Sequence, residues 1–178
     1  MFGRILSAVL TVAYPFVLFF GLKYWGLNAL IILIVALCGL NCLLKPGRFS
    51  ALFFTVALIL AAASFFTGVT LPLKLYPVAI SATLLATFAF SLFSKQSAIE
   101  RIARIQDPNL PPEGVRYTRK ITLIWCAFFL INGCVALWTA VAADEALWAI
   151  YNGFVSYLLI GLLLVGEWLF RRFVIKKH

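Results

Sequence analysis

The chain has 178 residues, 64% of them hydrophobic and 12% charged, with a mean hydropathy of +1.05. No soluble domain of this size could bury so much apolar surface, and apolar runs near the ~20 residues that carry a helix across a bilayer recur along it, so a water-soluble globule is excluded and an all-α polytopic membrane protein predicted. The net charge of +9 sits in short gaps between those runs and at the two ends; with no recognition module to carry it, nucleic acid is excluded as a partner and lipid headgroups are indicated.

The whole chain, 1–178, reads as a single integral membrane domain of about six spans. The first run, 5–22, follows Arg4; Pro15 in its middle and the lack of a small-residue cleavage site make it a retained helix rather than a signal peptide. Lys23, Tyr24 and Trp25 then mark an interface, where cations reach headgroups and aromatic rings prefer the boundary. The second run, 26–44, ends in the basic turn Lys45 to Arg48, and the third, 49–68, ends at Gly and Pro breakers before a fourth, 75–93. A polar loop, 94–120, separates these from the fifth run, 121–143, and Asp144 and Glu145 turn the chain into the sixth, 147–170. The tail from Arg171 is basic.

Six spans place both termini on one side, and the cations say which. With the N-terminus inside, the cytoplasmic set is Arg4, Lys45, Arg48, Lys95, Arg101, Arg104, Arg116, Arg119, Lys120, Arg171, Arg172, Lys176 and Lys177, against only Lys23 and Lys74 outside. Thirteen against two satisfies the positive-inside rule, so both termini are expected in the cytoplasm of a bacterial inner membrane.

Within the polar loop, Ser97 and Glu100 have the S-x-x-E spacing of a capping box, and Ile99, Ile102, Ala103 and Ile105 fall largely along one side of the helix that would follow. Arg101 and Arg104 lie off that side. The pattern predicts a short interfacial amphipathic helix, apolar side down and arginines toward phosphates, ended by Asp107-Pro108. The run Pro111 to Gly114 is expected to stiffen and turn the chain, and Tyr117, Arg119 and Lys120 to return it to the membrane. Arg101, Arg104, Arg116, Arg119 and Lys120 are thus candidates for contact with a partner or anionic lipid. A connector whose charges only fix topology accounts for the same residues.

Inside the membrane, Glu167 is the one acid within an apolar run, with Arg171 one turn on as an ion-pair partner at the helix end. Asn28, Asn41, Asn132 and Asn152 can hydrogen-bond between helices, and Asn132, Gly133 and Ala136 suit close helix approach. Trp148, Tyr151 and Asn152 lie where an outer aromatic belt is expected. Trp125 joins Glu167, Arg171, Asn132 and Asn152 as an intramembrane candidate. The four cysteines, Cys38, Cys42, Cys126 and Cys134, all fall in apolar runs and read as packing residues. The single histidine is the last residue, His178, and there is no phosphate loop or paired intramembrane carboxylate. No catalytic constellation, metal site or cofactor is therefore predicted.

The C-terminal half, from "SAIERIARIQDPNLPPEGVRYTRK" through "ALWAIYNGFVSYLLIGLLLVGEWLFRR", resembles a family of small bacterial inner-membrane proteins often encoded beside aryl-polyene or fatty-acid-like biosynthetic genes. More distantly, Trp125, Phe128, Phe129, Asn132 and Gly133 match a pattern of the intracellular septation protein A family, from which the chain departs in its Pro-rich insertion. The resemblance implies an accessory or scaffold role in cell-envelope biogenesis or division of a Gram-negative cell, with membrane lipids and a cytoplasmic or membrane protein as partners, and is compatible with oligomers. The alternative expectation is a carrier or acyltransferase-like helper for a lipid-linked or acyl intermediate, touching it through Glu167, Arg171 and Asn132.

Overall fold

The computed structural model of the chain describes the backbone of residues 2–44 and 47–170, and within these the side chains from residue 13 onward except at positions 48, 106 and 170. Every regular element among the described residues is helical: α1 Phe2–Tyr24, α2 Gly26–Leu44, α3 Arg48–Thr67, α4 Leu71–Lys74, α5 Tyr76–Ser91, α6 Ala98–Gln106, α7 Pro112–Ala142, α8 Glu145–Ile150, a π-helical turn Tyr151–Val155, and α9 Ser156–Phe170. Backbone groups in hydrocarbon must be bonded within their own segment, which leaves helices as the form open to these apolar runs. Five helical stretches are long and apolar enough to cross a membrane: Gly26–Leu44, Phe49–Thr67, Leu71–Ser91, Pro112–Ala142 and Glu145–Leu169. The protein is a membrane-embedded helical protein. The expected first span, 5–22, lies within α1, most of it before the first described side chain, and Lys45 and the tail from Arg171 lie outside the described residues.

Two reversals rest on glycine. Gly26 opens α2 directly after Trp25 at φ 76°, and Gly68 closes α3 at φ 69° with its N–H donating to the Ser64 carbonyl. A side chain at such left-handed positions would clash with its own backbone, so glycine sets both turns.

The fifth span departs from expectation at its start. The turn expected around Pro111 to Gly114 is instead the first turn of α7, which begins at Pro112 and runs unbroken for 31 residues. Proline suits that first position because its missing N–H would have no intrahelical acceptor there, and Glu113 in the first turn faces the positive end of the helix. At ~1.5 Å per residue, α7 is about 46 Å long against roughly 30 Å of hydrocarbon, so its polar N-terminal turns extend past the apolar layer.

One face of α7 is buried along almost its whole length. Thr118, Thr122, Trp125, Phe129, Asn132, Ala136 and Thr139 are each no more than 7% exposed. Their spacing alternates between four and three residues, the seam of helices that pack side by side.

The chain forms two compact units. The first comprises Met1–Pro77 and Ala136–Gly166, the second Val78–Val135 and the stretch from Glu167. In the first, Leu18, Leu30, Ile34, Leu73 and Trp148 are almost fully buried and form the centre of an apolar core that includes Tyr14. In the second, Phe88, Trp125, Phe128 and Phe129 form an aromatic cluster with ring centroids 5.2–6.4 Å apart.

Candidate functional site

The polar loop is built onto the second unit rather than strung between spans. At the end of α5 the backbone tightens: the amides of Leu92, Phe93 and Ser94 donate to the carbonyls three residues back, each at 3.1 Å. Ser91 Oγ then accepts the Ala98 N–H at 2.8 Å, and Thr122 Oγ1, from α7, accepts the Ile99 N–H at 3.3 Å. These are first-turn amides of α6 that have no partner within their own helix. Neighbouring helices supply the acceptors and fix where α6 begins.

The expected capping box is present in outline. Ser97 N–H donates to Glu100 Oε2 at 3.4 Å, while Ser97 Oγ faces the Glu100 amide without completing a hydrogen bond. Glu100 is buried, and its Oε1 accepts from Arg104 Nε at 2.9 Å, a pair whose side chains are 5% and 28% exposed respectively. Arg104 Nη1 also donates to the Pro108 carbonyl at 2.9 Å. A carboxylate buried to this degree is tolerable because a guanidinium and an amide both donate to it.

These contacts change one part of what was expected of α6, the direction of Arg104. Ile99 is buried, as a downward apolar side would require, but Ile102 is 57% and Ile105 82% exposed, together with Arg101. Arg104, expected to point at phosphates, turns inward to Glu100. The inner side of α6 is therefore a polar and apolar mixture fitted to the protein, and its outer side combines two isoleucines with an arginine. Sequence periodicity placed the apolar residues together; the buried ion pair at i and i+4 draws Arg104 to the protein instead of to phosphates.

The remaining cations are outward. Arg101 donates through Nε to the Gln96 carbonyl at 3.2 Å and through Nη2 to Ser94 Oγ at 2.9 Å. Arg119 Nη2 donates to the Leu92 carbonyl at 2.8 Å. Arg116 pairs with Glu113 at 3.3 Å, with both side chains 75% exposed, and Lys120 and Lys95 are exposed. Of the expected contact set, Arg101 and Arg119 thus converge on one turn, Arg116 and Lys120 lie on the free turns of α7, and Arg104 is structural.

The intramembrane candidates separate. Asn132 Nδ2 donates to Ser81 Oγ of α5 at 3.2 Å, and a Cβ built on Gly133 would stand 3.3 Å from Ser81 Cβ, so the small residue allows the approach that the hydrogen bond uses. Trp125 is buried among the phenylalanines with no hydrogen-bond partner for its indole N–H among the described residues. Glu167 is half-buried near the end of α9, and its expected partner Arg171 lies outside the described residues. Asn28 is exposed. All four cysteines are free; three are half-buried and Cys134 is exposed.

Asn152 is engaged within the protein. It is buried in the π-helical turn of the first unit, donating to the Trp148 carbonyl at 2.9 Å and to Thr139 Oγ1 at 3.2 Å. Nearby, the Trp148 indole donates to the Lys74 carbonyl at 3.2 Å and Tyr14 to the Leu73 carbonyl at 2.9 Å, which satisfies the carbonyls of the short α4. Lys74, 8% exposed, lies 3.9 Å from Glu145. Sequence reading offered Asn152 as a residue that can bond between helices, but not its acceptor Thr139, nor the bonds of Tyr14 and Trp148 to α4, whose partners lie far apart in the chain. Among the described residues no three His, Cys, Asp or Glu side chains gather to hold a metal.

Compared with protein-family models, with curated proteins and with solved structures, the chain gives no match.

Proposed function

We propose that this chain is an accessory or scaffold protein of the bacterial inner membrane, with six spans and both termini cytoplasmic, that presents a rigid docking surface to a cytoplasmic partner in cell-envelope biogenesis or division. The observation that carries this reading is the locking of α6 onto α5 and α7 through Ser91, Thr122 and the buried Glu100–Arg104 pair. A connector needs no such fixing, and ordering it costs about 1–2 kcal/mol per residue in backbone entropy. Orientation follows from thirteen cations against two, with α1 taken as the sixth span. The envelope role rests on the resemblance of the C-terminal half.

The partner surface is the protruding start of α7, where Glu113, Arg116 and Lys120 are exposed on one side at spacings of three and four residues. Net positive charge there suits an acidic protein face. Asn132 is engaged by Ser81 in packing α5 against α7, which is why the carrier or acyltransferase-like role is the weaker reading.

A photo-crosslinking residue at Glu113 in living cells tests the surface. The expected result is a discrete protein adduct that disappears in the Arg116→Glu/Lys120→Glu double variant while membrane insertion is unchanged. Adducts no different from those of a lipid-facing control at Leu159 would contradict it.

A further inference from the structure

We propose that the turn linking α5 to α6, together with Arg101 and Arg119, forms a headgroup site for an anionic phospholipid of the inner leaflet; this rests on the cytoplasmic placement of the polar loop given above. Two guanidiniums from different helices are held on this one turn. Arg119 reaches Leu92 from α7, and Arg101 reaches Ser94 and Gln96 from α6. Lys95, exposed, is part of the same turn.

The acceptors that hold the two arginines are two carbonyls and a hydroxyl. They are neutral, so the positive charge is positioned but not neutralised. By contrast, the nearby acids Glu100 and Glu113 are engaged by Arg104 and Arg116. A guanidinium has five N–H donors; Arg101 uses two and Arg119 one in these bonds, so both retain donors for phosphate oxygens.

The apolar surroundings select a lipid over a free phosphate. Phe90 is 75% and Phe93 90% exposed, one at the last turn of α5 and one within the cationic turn itself. Ile102 and Ile105 are exposed on the outer side of α6 beside Arg101. A phosphate held by Arg101 and Arg119 at the headgroup level leaves its acyl chains to run along Phe90, while Phe93 and the two isoleucines enter the boundary layer. A soluble phosphate would gain nothing from these side chains.

Native mass spectrometry of the full chain in detergent, titrated with phosphatidylglycerol and separately with phosphatidylcholine, tests the site. The Arg101→Gln/Arg119→Gln variant is expected to weaken phosphatidylglycerol binding about thirtyfold, at the usual strength of two cations near a lipid headgroup. Lys95→Gln, which removes charge but none of the hydrogen bonds that hold the two arginines, is expected to weaken it about fivefold. Arg116→Gln/Lys120→Gln loses the same formal charge as the double arginine variant but should change binding less than twofold.

Equal losses in both double variants would replace the site by a diffuse field, and no loss in either Arg101→Gln/Arg119→Gln or Lys95→Gln would overturn it. Displacement of phosphatidylglycerol by inorganic phosphate or glycerol phosphate at matching concentrations would assign the site to a soluble ligand and contradict the lipid. The Glu113 adduct is measured independently. No discrete adduct beyond the Leu159 control, with selective lipid binding intact, removes the partner reading alone, and the converse removes the lipid site alone.

Discussion

Glu100 shows how much one buried carboxylate can decide. It fixes the first turn of α6 through the Ser97 amide and draws Arg104 inward one turn later. Arg104→Ala leaves that carboxylate buried without its cation, and is expected to destabilise the docked helix by about 3 kcal/mol. Thr122→Val removes only the acceptor of the Ile99 amide and is expected to cost about 1 kcal/mol. Amide hydrogen exchange across residues 98–106 reads both: strong loss of protection in the first, slight loss in the second, and unchanged protection in both would show that α6 is not held by these groups. The Ser97/Glu100 spacing was legible in the sequence, and so was the i, i+4 spacing of Glu100 and Arg104. What the sequence could not show is that Ser91 and Thr122, seven residues before Ala98 and 23 after Ile99, would accept the helix's free amides and so choose which side of it faces the protein.

α7 is the element on which the account depends. Its buried stripe from Thr118 to Thr139 begins before the apolar run does, and the helix itself starts earlier still, at Pro112 rather than at residue 121. Hydropathy marks where lipid begins, not where a helix begins, and a polar first turn on a helix that packs against protein is invisible to it. Interhelical fit shows the same division. Asn132 and Gly133 were recognisable as a close-approach pair, but their partner Ser81 lies 51 residues away and no local pattern names it. Gly133→Leu is expected to force α5 and α7 apart where Ser81 stands and to cost about 1–3 kcal/mol, seen as a lowered thermal midpoint in detergent. Asn132→Leu, which forfeits one hydrogen bond and keeps the helices close, should cost only about 0.6 kcal/mol. A larger loss for Asn132→Leu than for Gly133→Leu would mean that the hydrogen bond, rather than the close approach, holds this contact.

At the scale of the molecule, composition made the membrane and the helical class legible at once, and five of the spans stand near their expected positions. The bonds of Tyr14 to Leu73 and of Trp148 to Lys74 in the first unit were not legible, because these residues become neighbours only through packing. The docked loop, the partner surface on α7 and the lipid site all require residues 94–120 to face the cytoplasm. A cysteine at Asn109, an exposed position, in a chain whose Cys38, Cys42, Cys126 and Cys134 are replaced by alanine, reports this directly. With a membrane-impermeant maleimide, the account predicts no labelling in intact spheroplasts and full labelling once the membrane is opened; labelling of intact spheroplasts would contradict it.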